Sequence, residues 1–325
     1  MKPLAKRIIS TIFAVLLTVS LLTACSKSEA RKVTININTM AINDFKTLVA
    51  QKQGLFEKYM PEDVTVEYTF ITSGSEMRDA LVTGQVDFSA MSSLSLVTSL
   101  QNGFPLSYVS YLGCGLYQLF ARDENIQSMM DLNSSHKIVV SSIGSSTHIA
   151  VLMGALVDGK DPSEFDNSMI TMTSSDALTA LTSGTAGVDA VILPFPVLLT
   201  AWQDDNIHLV RDFSDVITEY GLGSLFCTRQ DFIEENPDIV SAVDKALNEA
   251  VDILSNNPET AIQIMMEVYE DCDHDTAKEI IDFYVDTSWA GIGEYDKLMS
   301  VLYEQGILEQ PAELFENIPK YEAIE

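Results

Sequence analysis

The sequence predicts an α/β protein built as two lobes, and three observations carry that expectation. Segments rich in β-branched residues alternate with amphipathic helical spacing along most of the chain, the mark of largely parallel sheets. The 325-residue chain leaves about 295 residues after its first 30, enough for a large core and of a length that usually divides in two. One strand-helix-strand pattern also occurs twice: Asp79-Ala80-Leu81-x-x-Gly84-x-Val86-Asp87 is echoed by Asp176-Ala177-Leu178, Gly184 and Val188-Asp189-Ala190.

The N-terminal residues stand apart from that pattern. Lys2, Lys6 and Arg7 precede an almost unbroken apolar run, Ile8 to Leu22, which ends in Leu22-Thr23-Ala24-Cys25. The run is short for a membrane-spanning helix, which is the alternative reading, and no basic stop-transfer cluster follows it. A small residue before Cys suits a lipoprotein signal peptidase, so residues 1–24 are expected to be a signal peptide and Cys25 the lipidated N-terminus. Residues 25–30 would tether the lipid to the folded body, holding it on the extracytoplasmic face of the cell membrane. Removing residues 1–24 takes away Lys2, Lys6 and Arg7 and no acid, so the formal charge falls from −28 to −31. A charge of that sign argues against a nucleic-acid partner.

In chain order, Val33 to Asn38 reads as a strand and Phe45 to Gln53 as a helix stopped by Gly54. A strand from Val64 to Ile71 leads into a helix running through Leu81, with Ser73 and Glu76 at capping-box spacing. Val86 to Ala90 is a short strand, Leu94 to Gln101 a helix, and Leu106 to Ala121 an apolar strand interrupted at Gly113-Cys114-Gly115. A second cycle follows: strand Lys137 to Ser141, helix His148 to Val157, strand Met169 to Met172, helix Asp176 to Thr182, strand Asp189 to Leu193. From Asp231 the pattern is helical and acidic.

In open α/β sheets, ligands sit at the carboxyl ends of strands, where the next helix presents unpaired N–H groups. The loops so placed hold Thr39, Met40, Ala41 and Ile42; Ser73, Gly74 and Ser75; Met91, Ser92 and Ser93; Gly144, Ser145, Ser146 and Thr147; and Phe195 between two prolines. Hydroxyls with helix N–H groups make a neutral cradle for an anionic or strongly polar group. Ser and Thr are also ordinary helix caps, and it is their recurrence in both halves that marks these loops as the candidate ligand site. Phe195 is the best placed aromatic to stack on a ring, with Phe45, Tyr117 and Tyr220 behind it.

Chemistry is poorly provided for. Gly144-Ser145-Ser146-Thr147 lacks the lysine of a phosphate-binding loop, and no serine sits in a nucleophile elbow. The four histidines, His136, His148, His208 and His274, form no metal-spaced pair; His148 opens a helix beside a candidate loop and is expected to be partly exposed. Cys114, Cys227 and Cys272 are odd in number, without C-x-x-C or Cys/His pairing, so buried inert thiols are expected and neither a metal nor a cofactor.

Taken in order, several segments resemble the nitrate, sulfonate, taurine and thiamine-precursor class of ABC transporter substrate-binding proteins. They are Ala50-x-x-x-Gly54-Leu55-Phe56-Glu57, Ala80-Leu81-x-x-Gly84-x-x-Asp87-Phe88, Ala177-Leu178 through Val188-Asp189-Ala190 with Phe195-Pro196, Asp231-Phe232 with Asn236-Pro237, and Asn257-Pro258-Glu259. The resemblance implies a type II periplasmic-binding-protein fold: lobe 1 from residues 31–119 plus 227–325, lobe 2 from 120–226, the hinge near Leu119-Phe120 and Leu225-Phe226, and closure on the ligand. It implies a monomeric, non-enzymatic capture protein for a small polar solute, working with ABC permease subunits.

Two departures bear on the solute. Phe195 stands where many relatives carry an acid, and none of the candidate loops holds Arg or Lys, so a salt bridge to a sulfonate or nitrate is not visible. A pyrimidine-like thiamine precursor is weighed beside a sulfonate-like anion, with Asp44 or Glu76 to meet an amino group. A pyrimidine-synthesising enzyme on this fold would need a reactive His beside a Cys cluster, which the scattered cysteines do not supply. A sensing or adhesive surface lipoprotein is the other alternative.

Overall fold

The computed structural model describes residues 30–37, 44–71, 74–220, 223–288, 295–313 and 317–321. Cys25, Thr39, Met40, Ala41, Ile42 and Ser73 therefore lie outside the described residues. The chain opens with β1 (Arg31–Asn36), α1 (Phe45–Lys52), α2 (Leu55–Tyr59), β2 (Val64–Thr69), α3 (Gly74–Val82), β3 (Ser89–Ser92), α4 (Ser93–Gln101) and β4 (Leu106–Cys114). It continues with β5 (Tyr117–Ala121), β6 (Ile138–Val140), α5 (Ser146–Val157), β7 (Met169–Thr171), α6 (Ser174–Thr182), β8 (Ala190–Pro194), α7 (Val197–Ala201), β9 (His208–Asp212) and α8 (Ser214–Tyr220). β10 (Gly223–Arg229) precedes α9 (Gln230–Glu235), α10 (Pro237–Asn256), α11 (Pro258–Val268), α12 (His274–Ser288) and α13 (Tyr295–Glu304).

The mixed α/β expectation holds, and the sheets repeat one plan. One sheet runs β7-β6-β8-β5-β9, with β6 parallel to β7 and β8 and with β5 antiparallel to both its neighbours. In the other half β2 pairs parallel with β1, β1 reaches the approach to β3 through the parallel bridge Ile35–Phe88, and antiparallel β10 lies between β3 and β4. Both halves thus read second, first, third, returning strand, fourth. Burial follows position: central β5 and β6 are buried at every residue, whereas β2, an edge strand, alternates.

Hydrogen bonds fix the correspondence residue by residue. Asp87 Oδ2 accepts from the Thr34 N–H at 2.8 Å, and Asp189 Oδ2 accepts from the Lys137 N–H at 2.7 Å. The Thr34 and Lys137 carbonyls in turn accept from the backbone N–H groups of Asp87 and Asp189. Gly84 and Gly184 both take positive φ, 73° and 69°, directly after α3 and α6, where only glycine turns a helix end without strain. The equivalent turns are Ala80-Leu81-Val82-Thr83-Gly84 and Ala180-Leu181-Thr182-Ser183-Gly184, since Gln85 N–H bonds to the Ala80 carbonyl as Thr185 N–H does to that of Ala180. The echo is real, but the sequence pairing of Ala80 with Ala177 was one helical turn out of register.

The long helix α10 starts with Pro at N1 and buries Ile239, Val240, Val243, Ala246, Leu247, Ala250 and Leu254 on one face, against α1 and α2. β9, α7, α8 and β10 were not resolved as elements by sequence spacing.

Candidate functional site

A cleft of about 750 Å³ opens where the strand ends of the two halves face one another. Four helix N-termini reach it through Ser75 of α3, Ser92 and Ser95 at α4, Ser145, Ser146 and Thr147 at α5, and Thr173 before α6. Ser92, Ser145 and Thr173 each cap their helix, accepting from the N–H of Ser95, His148 and Asp176 respectively. Hydroxyl side chains are there because helices start there, and the same starts aim N–H groups and positive dipole ends at the cleft.

The loop from Ser141 to Thr147 is internally braced. Ser141 Oγ lies 3.0 Å from Ser145 Oγ and 2.8 Å from Thr147 Oγ1, which accepts from the Ser141 N–H at 3.0 Å. His148 supports this loop from beneath: its Nδ1 accepts from the Gly144 N–H at 3.0 Å, so that nitrogen carries no proton. The ring is 6% exposed, not partly exposed as the sequence suggested, and burial lowers its pKa against the weaker opposing pull of Asp166.

Two charged groups of opposite sign complete the lining. Asp44 is buried just before α1, and its Oδ1 accepts from Thr47 Oγ1 at 2.5 Å. Arg78 stands one turn into α3, on the face of Ser75, and also bonds Asp79 at 2.8 Å. Sequence reasoning searched the loops and so missed this arginine. The aromatic wall is Tyr117, whose hydroxyl bonds Ser146 and whose ring sits so close to Gly115 that a Cβ there would fall 2.5 Å from it.

Of the residues expected at the site, Ser75, Met91, Ser92, Gly144, Ser145, Ser146 and Thr147 line the cleft. Gly74 opens α3, and Ser93 is buried at 3% exposure. Phe195 belongs elsewhere: it is 1% exposed, with its ring edge-on to Tyr269. Phe45 packs on Tyr284, and Tyr220 under Lys297, so neither faces the cleft. Glu76 is exposed and lies off the lining. Cys114, Cys227 and Cys272 are buried thiols outside any disulfide, whose pKa values burial pushes up, to about 11 for Cys114 and Cys272 and higher still for Cys227.

Among the described residues no group of His, Cys, Asp and Glu is disposed to hold a metal, and no helix is long and apolar enough to cross a membrane. A surface groove of about 620 Å³ beside α10 is lined by groups already engaged with each other, Lys58 and Tyr59 both bonding Glu249.

A family model described as NMT1/THI5 like matches residues 42–261, which contain every lining residue of the cleft. The chain belongs to the NMT1/THI5-like family. Solved structures place this NMT1/THI5-like protein in the periplasmic-binding-protein fold. The periplasmic aliphatic sulphonate binding protein SsuA from Escherichia coli is similar at TM-score 0.71 and 19% identity, over 91% of this chain and 94% of that one. The alkanesulfonate-binding protein SsuA from Xanthomonas axonopodis pv. citri, bound to MOPS, gives 0.72 and 17%, over 90% and 100%. A zinc-bound ligand-binding component of an ABC-type import system from Staphylococcus aureus gives 0.70 and 13%, over 87% and 94%. A comparison with curated protein sequences gives no match. These neighbours are by name ligand-binding proteins, and the likeness shows that this NMT1/THI5-like chain shares their fold.

Proposed function

We propose that this chain is the extracytoplasmic capture subunit of an ABC importer, closing two lobes on a small organic anion of the sulfonate type. The observation that carries the proposal is the convergence of four helix N-termini and Arg78 on one cleft whose volume suits a small molecule. Such a site offers N–H groups, hydroxyls and one guanidinium to a tetrahedral anionic head. Asp44 at the same cleft adds a place for an ammonium or amino group on the solute.

The lobes follow the five-stranded sheet on one side and the bridged β2-β1 and β3-β10-β4 sheets on the other. We assign one lobe to residues 31–114 with 223–321 and the other to 117–220, so that the chain crosses between them after Cys114 and again after Tyr220. The hinge that the resemblance implies, near Leu119-Phe120 and Leu225-Phe226, falls in β5 and β10, next to these crossings. A solute touching both lobes stabilises the closed form, which a permease then recognises.

An aminopyrimidine is the second reading, favoured by the Tyr117 ring and Asp44 on the same cleft. A thermal-shift screen of residues 31–325 with MOPS, taurine, short alkanesulfonates, nitrate and aminopyrimidines separates the two, because a solute that binds only the folded state raises the melting temperature. A sulfonate shift abolished by Arg78→Ala supports the anion. A shift with aminopyrimidines alone, abolished by Asp44→Asn, replaces it with the second reading. Attachment through Cys25 is part of the proposal and is read in cells: Cys25→Ala is expected to leave the membrane fraction, and an unchanged membrane-bound mature mass sinks the anchor.

A further inference from the structure

We propose that Phe195 and Tyr269 form a latch that populates the closed arrangement of the lobes before any solute binds. The inference rests on the two-lobe closure proposed above. Phe195 follows β8, in the five-stranded sheet, and Tyr269 follows α11, in the helical layer against β4 and α1. Their rings meet edge-to-face with centroids 4.7 Å apart and planes at 86°, and both side chains are buried.

The position of the pair suits a junction that moves. The Phe195 N–H bonds the Leu116 carbonyl at 3.1 Å, so the phenyl ring is fixed to the residue where the chain passes between lobes. On the outer side of Tyr269 a gap of about 370 Å³ remains, with Pro196, Val197 and Thr200 on one wall and Glu270 and Asp271 on the other. The gap bounds the contact on this side, while Leu198, Leu199 and Met265 share one buried apolar cluster with the two rings, and a rotation that widens the gap separates the rings. A broad interdigitated interface would resist such opening.

Neither ring lines the solute cleft, so the pair acts through the equilibrium between open and closed forms and not through the solute. Apparent affinity scales with the fraction of protein already in the binding-competent form. An edge-to-face pair has the strength to change that fraction roughly two- to tenfold.

The test needs no solute. Spin labels on Gln85→Cys and Thr185→Cys, exposed equivalents in the two halves, report lobe separation by pulsed electron resonance in the body from residue 31 onward, where Cys114, Cys227 and Cys272 are buried. The expected result is a short and a long distance in ligand-free protein, with Phe195→Ala shifting weight to the long one and Tyr269→Phe, which keeps the ring, leaving the balance unchanged. Should Phe195→Ala fail to fold, Tyr269→Ala removes the same contact from the other side. Two distances whose balance neither alanine variant alters would overturn the latch while leaving closure intact. A long distance alone in the unsubstituted protein overturns it as well. A single distance in every variant and also with MOPS, taurine and aminopyrimidine removes lobe closure itself, and the latch with it.

Discussion

At the scale of single residues, the site is governed by which way a side chain leaves its strand or helix. Pro194 lines the cleft, so Phe195, the next residue, is turned away from it and into the core, as strand alternation requires. Tyr117 pairs with Pro194 in register and therefore shares its face, which makes Tyr117 the cleft aromatic. No spacing along the chain reveals a cross-strand register, which is why Phe195 looked better placed. Arg78 was within reach, since a residue three beyond Ser75 on a helix shares its face. The buried His148 leads to a pH prediction. Its folded pKa lies below the ordinary value of 6.5, so below that pH the unfolded chain takes up a proton that the folded chain refuses. Stability is thus retained above about pH 6.5 and falls as the medium is acidified through that value toward the lower folded pKa. Urea midpoints for wild type and His148→Gln should diverge between neutral pH and pH 5, with the wild type losing more; parallel curves would mean that His148 contributes nothing.

At the scale of elements, the two halves reuse one joint with different investment. Arg229, ending the returning strand β10, covers Gly84 and donates to the Leu81 and Val86 carbonyls at 3.1 and 3.0 Å and to Asp87 at 3.2 Å. Arg122, just beyond the returning strand β5, covers Gly184 and donates to the Thr182 carbonyl. Arg229 is mostly buried and Arg122 exposed, so the same bond type has unequal consequences. Arg229→Ala leaves Asp87 and two carbonyls short of a partner and should cost about 2 kcal/mol of stability. Arg122→Ala should cost below ~1 kcal/mol. Denaturant titrations check both, and equal losses would contradict the asymmetry. The one-turn slip in the sequence echo has its cause here too: Ala177-Leu178-Thr179 is followed at once by Ala180-Leu181-Thr182, and residues three apart on a helix share a face. Only the hydrogen bonds after Gly184 choose between the two repeats. β9 and α8 escaped notice because His208 to Tyr220 mixes acidic and apolar residues without a clean period.

At the scale of the molecule, charge works against the proposed solute. The formal charge of −28 places an anion in a repelling field, while the local site offers Arg78 and helix N-termini. Capture of a sulfonate anion should therefore quicken as salt rises, because the Debye length shortens from roughly 30 Å at 0.01 M to roughly 8 Å at 0.15 M. Stopped-flow association rates for an alkanesulfonate would rise over that range, whereas zwitterionic taurine would change little; a fall for the alkanesulfonate would show that Arg78 and its neighbours dominate the long-range field.

The α/β class, the doubled strand-helix-strand plan and the hydroxyl-rich strand ends could all be read from order and composition, because each depends on residues close in sequence: strand period, helix caps and the glycines that end helices. The pairing of Tyr117 with Pro194, the removal of Phe195 to a contact with Tyr269, and the presence of Asp44 and Arg78 on one cleft could not. Those depend on strand register and on the approach of helices distant in the chain, and only the folded arrangement of the sheets determines either.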